Sequence, residues 1–254
     1  MRLLLLGYSA LAYTAFLLST AWAFLFLAGH GIDGPATNDA WRSLAIDGAL
    51  LLAFALHHSV MARAGLKRFL PKLAERSTYV LVASLLLMAI FQWWQPVPAS
   101  VWHTGRPWSL LIWTIYGLGW LILVGSTYMI DHADFFGLKR AWRHARREAY
   151  SPPAFRERFL YAWLRHPMML GLIITFWATP KMSAGHLFFA VSSTAYIAVG
   201  IRFEERDLRT ELGPAYDDYA ARVPAMLPLK RRPVPTAERP ALRRGSAGRR
   251  RVRR

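Results

Sequence analysis

Residues 108–130 read WSLLIWTIYGLGWLILVGSTYMI, a run without one charged side chain. A helix rises about 1.5 Å per residue, so this stretch is long enough to cross the roughly 30 Å hydrocarbon layer of a bilayer. Apolar stretches of spanning length recur at about 3–28, 43–62, 77–95, 161–179 and 184–203. The pattern predicts an all-α fold, a polytopic transmembrane helix bundle of five to six spans. The last two stretches are short and joined by Ala178-Thr179-Pro180-Lys181-Met182-Ser183, so a hairpin that does not fully cross is the alternative for them. The first run follows Arg2 and passes Ala21-Trp22-Ala23, which imitates a signal-peptide cleavage site. It is too long for a signal core and reads as a retained first span.

Composition agrees with a membrane class: the 254 residues are 54% hydrophobic and 14% aromatic, with eleven tryptophans. A net charge of +17 would point to nucleic acid in a soluble protein, so its location matters. Residues 230–254 hold eleven Lys/Arg against Glu238 alone, which places +10 of the +17 there. This tail has too few large apolar residues to fold, so residues 229–254 are expected to be a disordered basic cytoplasmic tail. Anionic membrane lipid, rather than nucleic acid, is its expected partner. Residues 1–228 form a single membrane domain, and no obligate protein partner is implied. The chain has no cysteine, which excludes disulfides, thiolate metal sites and a cysteine nucleophile.

Lys and Arg alternate between loops. Segments 63–76 and 131–160 are strongly basic, while 29–42 carries only Arg42 and 96–107 only Arg106. The positive-inside rule then places both termini and both basic loops in the cytoplasm, as in a bacterial inner-membrane protein. Segment 135–160 mixes aromatics with arginines, which suits an interfacial stretch on anionic lipid that also roofs a pocket.

Ionisable groups within a bilayer are costly and therefore candidates for function. They are Asp47, His57, His58, Asp131, His132, Asp134, Arg165, His166, Arg202, Glu204, Glu205, Arg206 and Asp207; all but Asp47 fall toward the predicted cytoplasmic face. A metal centre is not indicated, because adjacent helical residues such as His57 and His58 point about 100° apart. These two are either an interfacial pair bonded within the bundle or a catalytic base and substrate positioner. Asp131, His132 and Asp134 read as a solvated helix end. The start of the fifth span, at His166-Pro167-Met168-Met169, offers free backbone donors to an anionic group, and Pro167 is tolerated in its first turn. Paired Glu204 and Glu205 suit an ammonium group and ribose hydroxyls.

The ordered motifs Arg165-His166-Pro167 with Gly171, Glu204-Glu205 with Leu208, Gly213 with Tyr216 and Tyr219, and Arg222-Val223-Pro224 resemble the cofactor-binding half of the isoprenylcysteine carboxyl methyltransferase superfamily. That resemblance implies S-adenosyl-L-methionine as cofactor, bound by a half at about 131–228, with contacts at Tyr161, His166, Pro167, Met168, Met169 and Glu204. Met169 stands where the family usually has tyrosine. Gly200 stands near where the prenylcysteine enzyme keeps an arginine for its substrate carboxylate, which argues against a carboxyl acceptor. His57-His58-Ser59, Glu75-Arg76-Ser77-Thr78-Tyr79, Asp131-His132-Ala133-Asp134-Phe135-Phe136-Gly137-Leu138 and Gly185-His186-Leu187 resemble the bacterial methanethiol S-methyltransferase branch of the nurim family, over about 45–228. The implied substrate is a small thiol, methanethiol, methylated to dimethyl sulfide; apart from the resemblance, the depth and facing of His57 and His58 make one of them the expected base, with Tyr79 or Arg76 nearby. The alternatives are another acceptor, a phospholipid amine or an isoprenylcysteine carboxylate, or a non-catalytic nurim-like membrane protein.

Overall fold

The computed structural model describes residues 2–62, 71–151 and 157–227. The chain runs α1 (Arg2–Leu27), α2 (Ala40–Ala62), α3 (Glu75–Trp93), β1 (Ser100–His103), α4 (Trp108–Ile130), α5 (His132–Phe135), α6 (Leu138–Ala145), a 3-10 turn (Phe159–Ala162), α7 (Pro167–Trp177), β2 (Lys181–Ser183), α8 (Ala184–Leu212) and α9 (Pro214–Arg222). Among the described residues five helices, α1 to α4 and α8, are long and apolar enough to cross a membrane. Their outward faces expose Leu4, Leu11, Leu18, Leu110, Leu121 and Val191. Apolar surface on that scale is unstable in water and suits lipid chains, so the protein is an integral membrane protein. The expected disorder of the basic tail lies outside the described residues.

Two helices depart from the bounds read in the sequence. The fifth apolar stretch, 161–179, contains only the 11-residue α7. At about 1.5 Å per residue it covers roughly half the hydrocarbon thickness, so it forms a half-span. Pro167 occupies its first turn after a separate 3-10 turn, and Ala178-Thr179-Pro180 ends it. Conversely, α8 does not stop near 203 but runs 29 residues to Leu212, carrying Glu204 and Glu205 on a continuous helix. Glu and Arg are good helix formers, and Gly213, at φ +58°, then turns the chain into α9.

Small residues set the helix spacing. Ser9, Ala12, Ala15 and Ser19 of α1 are buried at three- to four-residue intervals. Ser9 Oγ meets Ser77 Oγ of α3 at 2.7 Å. A Cβ on Gly171 of α7 would stand 2.7 Å from Leu123 N and 2.8 Å from Gly119 O of α4, so those two backbones touch. The main core gathers Phe26, Ile90, Phe91, Trp94, Phe176 and Phe189 toward the end where α1 and α3 finish and α8 begins. At that end β1 pairs antiparallel with β2. Ser183 caps α8 by accepting the His186 N–H at 3.1 Å. The opposite end, where α7 starts and α8 finishes, carries the clusters of ionisable side chains.

Candidate active site

The first cluster grows from the start of α7. Arg165 and His166 donate their backbone N–H groups to Pro224 O and Ala225 O, both at 2.9 Å, so the segment after α9 lies against the α7 start like a short strand. The Arg165 guanidinium fills the corner. Its Nε and Nη2 donate to Glu205 Oε1 at 2.9 and 2.6 Å, and its Nη1 donates to Ala220 O and Val223 O at 2.9 and 2.6 Å. The two carbonyls belong to the end of α9, where unpaired acceptors and the negative pole of the helix favour a cation. His166 Nε2 lies 3.1 Å from the same Glu205 oxygen. Arg209 approaches the other oxygen at 3.5 Å and holds Asp217 of α9 at 3.2 Å. The Tyr219 hydroxyl closes the cluster by donating to Tyr161 O at 2.7 Å.

The two glutamates have therefore separated. Glu205, 13% exposed, is engaged by Arg165, His166 and Arg209, whereas Glu204 is 49% exposed and approaches His166 Nδ1 at 3.6 Å. Beside it, burial and then the Glu204 charge push the Tyr161 phenol above its ordinary value, so Tyr161 stays a neutral donor. Burial, followed by Glu157, pushes Tyr219 up to about 12. The first turn of α7 adds the N–H groups of Met168 and Met169, which have no helical carbonyl to bond, since Leu170 already takes His166 O.

The second cluster lies deeper, between α2, α3 and α8. The Tyr79 hydroxyl stands 2.7 Å from His58 Nδ1 and 2.8 Å from Nε2. Tyr196 presents its edge to His58 and bonds Ser59 at 3.2 Å. His57 stacks over Tyr79, and its Nδ1 is buried without a hydrogen-bond partner. Along α8, Tyr196 precedes Glu204 by eight residues, an axial rise of about 12 Å.

The chain is 44% identical over 235 residues to methanethiol S-methyltransferase 2 of Bradyrhizobium diazoefficiens, an alignment covering 89% of this chain and 91% of that protein. This chain belongs to the methanethiol S-methyltransferase family. The family's Mycobacterium tuberculosis member is 40% identical over 240 residues, or 91% of this chain and 98% of its own length. Nurim of Sus scrofa is 30% identical over 201 residues, covering 69% of this chain and 76% of nurim. No protein-family model matches the chain, and no solved structure does either.

In this chain His166, Pro167, Glu204 and Glu205 meet at one place, with Tyr161 and Met168 beside them. Met169 instead packs partly against the main core. His57, His58 and Tyr79 meet as a second group, and Arg76 stands near enough for its charge to act on Tyr79 while its hydrogen bond goes elsewhere. It donates to Phe135 O at 2.7 Å and lies over the Phe135 ring, bracing the turn before α6. The segment Asp131–Asp134 is not a freely solvated end: His132 sits between Tyr13 Oη and Thr127 Oγ1, 2.7 Å from each. Asp131 pairs with Lys139 and Asp134 with Tyr150. Tyr196 and Tyr13 are the residues that sequence reasoning missed, because a lone tyrosine in an apolar helix looks like any interfacial aromatic.

Proposed function

We propose that this chain methylates methanethiol to dimethyl sulfide with S-adenosyl-L-methionine as donor. Family membership supports the reaction class. The observation that carries the site is the division between the two glutamates, with Glu205 spent on holding α9 and Glu204 left at an open edge. The donor set fits such a cofactor. Glu204 suits its ammonium or ribose hydroxyls, the Met168 and Met169 N–H groups suit its carboxylate, and Tyr161 adds a neutral hydroxyl. When bound, the cofactor supplies an electrophilic methyl group on a positively charged sulfur.

The chain's own residues then have three tasks. Glu204 and the α7 start orient the methyl group toward the bundle interior. His57, whose buried Nδ1 lacks a partner, accepts the thiol proton, while Tyr79 and Tyr196 fix the neighbouring His58 ring. The methyl group that a bound cofactor would supply would pass to the thiolate sulfur, the demethylated cofactor and dimethyl sulfide being the two products, and the proton held on His57 would return to solvent before the next turnover. Packing between α2, α3 and α8 keeps water from the thiolate, and alignment supplies much of the acceleration. Gly200 has nothing within 4 Å of a Cβ position and offers no guanidinium to a carboxylate acceptor.

The same reading places the Glu204 end in the cytoplasm of a bacterial inner membrane, with both termini on that side and the basic tail on anionic lipid. Because the chain lacks cysteine, single-cysteine reporters at Lys181 and Arg206 test this directly; labelling of Arg206→Cys from outside intact cells would reverse the orientation. Headspace gas chromatography of cells expressing the chain and fed methanethiol tests the activity. Dimethyl sulfide above the empty-vector level is the expected result, and its absence refutes the acceptor.

A further inference from the structure

At the end of the bundle away from His166 and Glu204, the loop after α1, the α4 helix and the connection from α7 to β2 border an open hollow of about 270 Å³, lined in part by His30, Asp33, Trp113, Thr179 and Lys181. Asp33 pairs with His186 of α8, Oδ2 to Nδ1 at 3.3 Å, with side chains 5% and 0% exposed. His186 Nε2 lies 3.1 Å from Phe176 O, a carbonyl that only accepts, so Nε2 carries a hydrogen, and Nδ1 carries a second one where it donates to the anionic carboxylate. Burial pushes the Asp33 carboxyl up, but hydrogen bonding from His186, and after it from Ser183, outweighs burial and keeps the group anionic.

One oxygen of that anion is unaccounted for. Among the described residues Asp33 Oδ1 is buried with no donor at hydrogen-bonding distance, Ser183 acting on the carboxyl from farther off. A buried carboxylate oxygen without a donor is costly and rare. Lys181 is exposed at the same hollow and has no ion pair among the described residues. The Trp113 ring is partly exposed, on a helix that crosses the bilayer. Negative depth, positive rim and an aromatic wall at the hydrocarbon boundary match a zwitterion whose cation can donate hydrogen bonds.

We propose that this hollow binds a primary-ammonium phosphate headgroup, that of phosphatidylethanolamine: the ammonium donates to Asp33 Oδ1, the phosphate meets Lys181, and Trp113 packs on the adjoining carbons. A choline headgroup has no N–H and cannot satisfy Oδ1. The site is separate from the methyl-transfer cluster, so it stands or falls independently of that function.

The test uses the purified full chain in detergent, with lipid retention read by native mass spectrometry and thermal unfolding by intrinsic fluorescence. Three probes are compared: dioleoylphosphatidylethanolamine, dioleoylphosphatidylcholine and free phosphoethanolamine. The ethanolamine lipid is expected to bind roughly tenfold or more tightly than the choline lipid and to raise the melting temperature. Protection by the lipid alone assigns a bilayer lipid, and protection by free phosphoethanolamine as well extends the site to the soluble headgroup; both support the proposal. Asp33→Asn removes the preference for ethanolamine over choline. Because that change also disturbs His186, the exposed Lys181→Gln serves as the second variant, expected to weaken ethanolamine-lipid binding several-fold in a protein that melts normally. Equal binding of both lipids, no binding of either, or unchanged affinity in Lys181→Gln overturns the proposal.

Discussion

Replacing Arg165 with methionine removes the group that joins α7, α8 and the end of α9. Arg165 is 12% exposed and its main partner, Glu205, 13%. The substitution deletes four hydrogen bonds, two to Glu205 and one each to Ala220 O and Val223 O. Glu205 is left with His166 at 3.1 Å and Arg209 at 3.5 Å, and two carbonyls at the α9 end lose their donor. Removing one partner of a buried pair costs about 3–5 kcal/mol, because the remaining charge stays desolvated. In a chain of this size, that lowers the melting temperature by about 6–20 °C if the whole bundle unfolds together. The interactions lost are local, so α9 is expected to release first, exposing residues 213–227 to protease at temperatures where the bundle persists. Scanning fluorimetry in detergent and limited proteolysis read the two effects. The double variant Arg165→Met, Glu205→Met recovers much of the stability, since no unpaired charge is then buried. A single variant melting within about 1 °C of the parent, with α9 still protected, would refute the assignment of Arg165 as the clamp.

Glu204→Gln is expected to weaken S-adenosyl-L-methionine binding roughly tenfold or more by calorimetry while leaving the melting temperature unchanged, because this carboxylate is half-exposed and outside the clamp. His57→Ala lowers turnover by about 10²–10⁴-fold in the headspace assay, and His58→Ala loosens the Tyr79 contact with a smaller loss; wild-type turnover in both variants removes histidine as the base. Gly171→Val forces a side chain against Leu123 N and Gly119 O, atoms of backbone that cannot swing aside, and costs at least about 1–3 kcal/mol, seen as lost monodisperse yield in detergent chromatography. The Asp33 carboxyl is held below its ordinary value by His186, so its stabilising contribution is present above pH ~4 and lost as pH falls through and below that value. The melting-temperature gap between parent and Asp33→Asn should therefore narrow on acidification, and a gap that widens contradicts the sign.

Legibility differed between parts of the chain for physical reasons. Residues 108–130 announce a span because lipid leaves the backbone no alternative to helix, and the same logic located all five long helices. The fifth apolar stretch misled because hydropathy sums over Tyr161 to Thr179 without registering where Pro167 and Pro180 break the geometry. The end of α8 was set too early for the opposite reason: Glu204 to Leu212 are polar, yet they are good helix formers packed against α9. The motifs around Arg165, Glu205, Gly213 and Val223 hold residues that the fold brings together, and only the fold shows that Arg165 binds carbonyls and engages Glu205 rather than Glu204. His132 was read as solvated because neither Tyr13 nor its contact is visible from a distance of more than a hundred residues in sequence. Asp33 and His186 are equally remote along the chain, and no local pattern ties them.

The clamp on Arg165 has an order of assembly built into it. Its carbonyl partners at Ala220, Val223, Pro224 and Ala225 follow every spanning helix in the chain, so a nascent polypeptide carries the α7 start long before anything can hold it. During synthesis the bundle inserts first, and the segment that holds the α7 start leaves the ribosome after all of the described spanning helices. A chain stopped short of Val223 keeps the five described spans but lacks the latch, so premature termination there leaves a membrane protein whose α7 start has nothing to hold it.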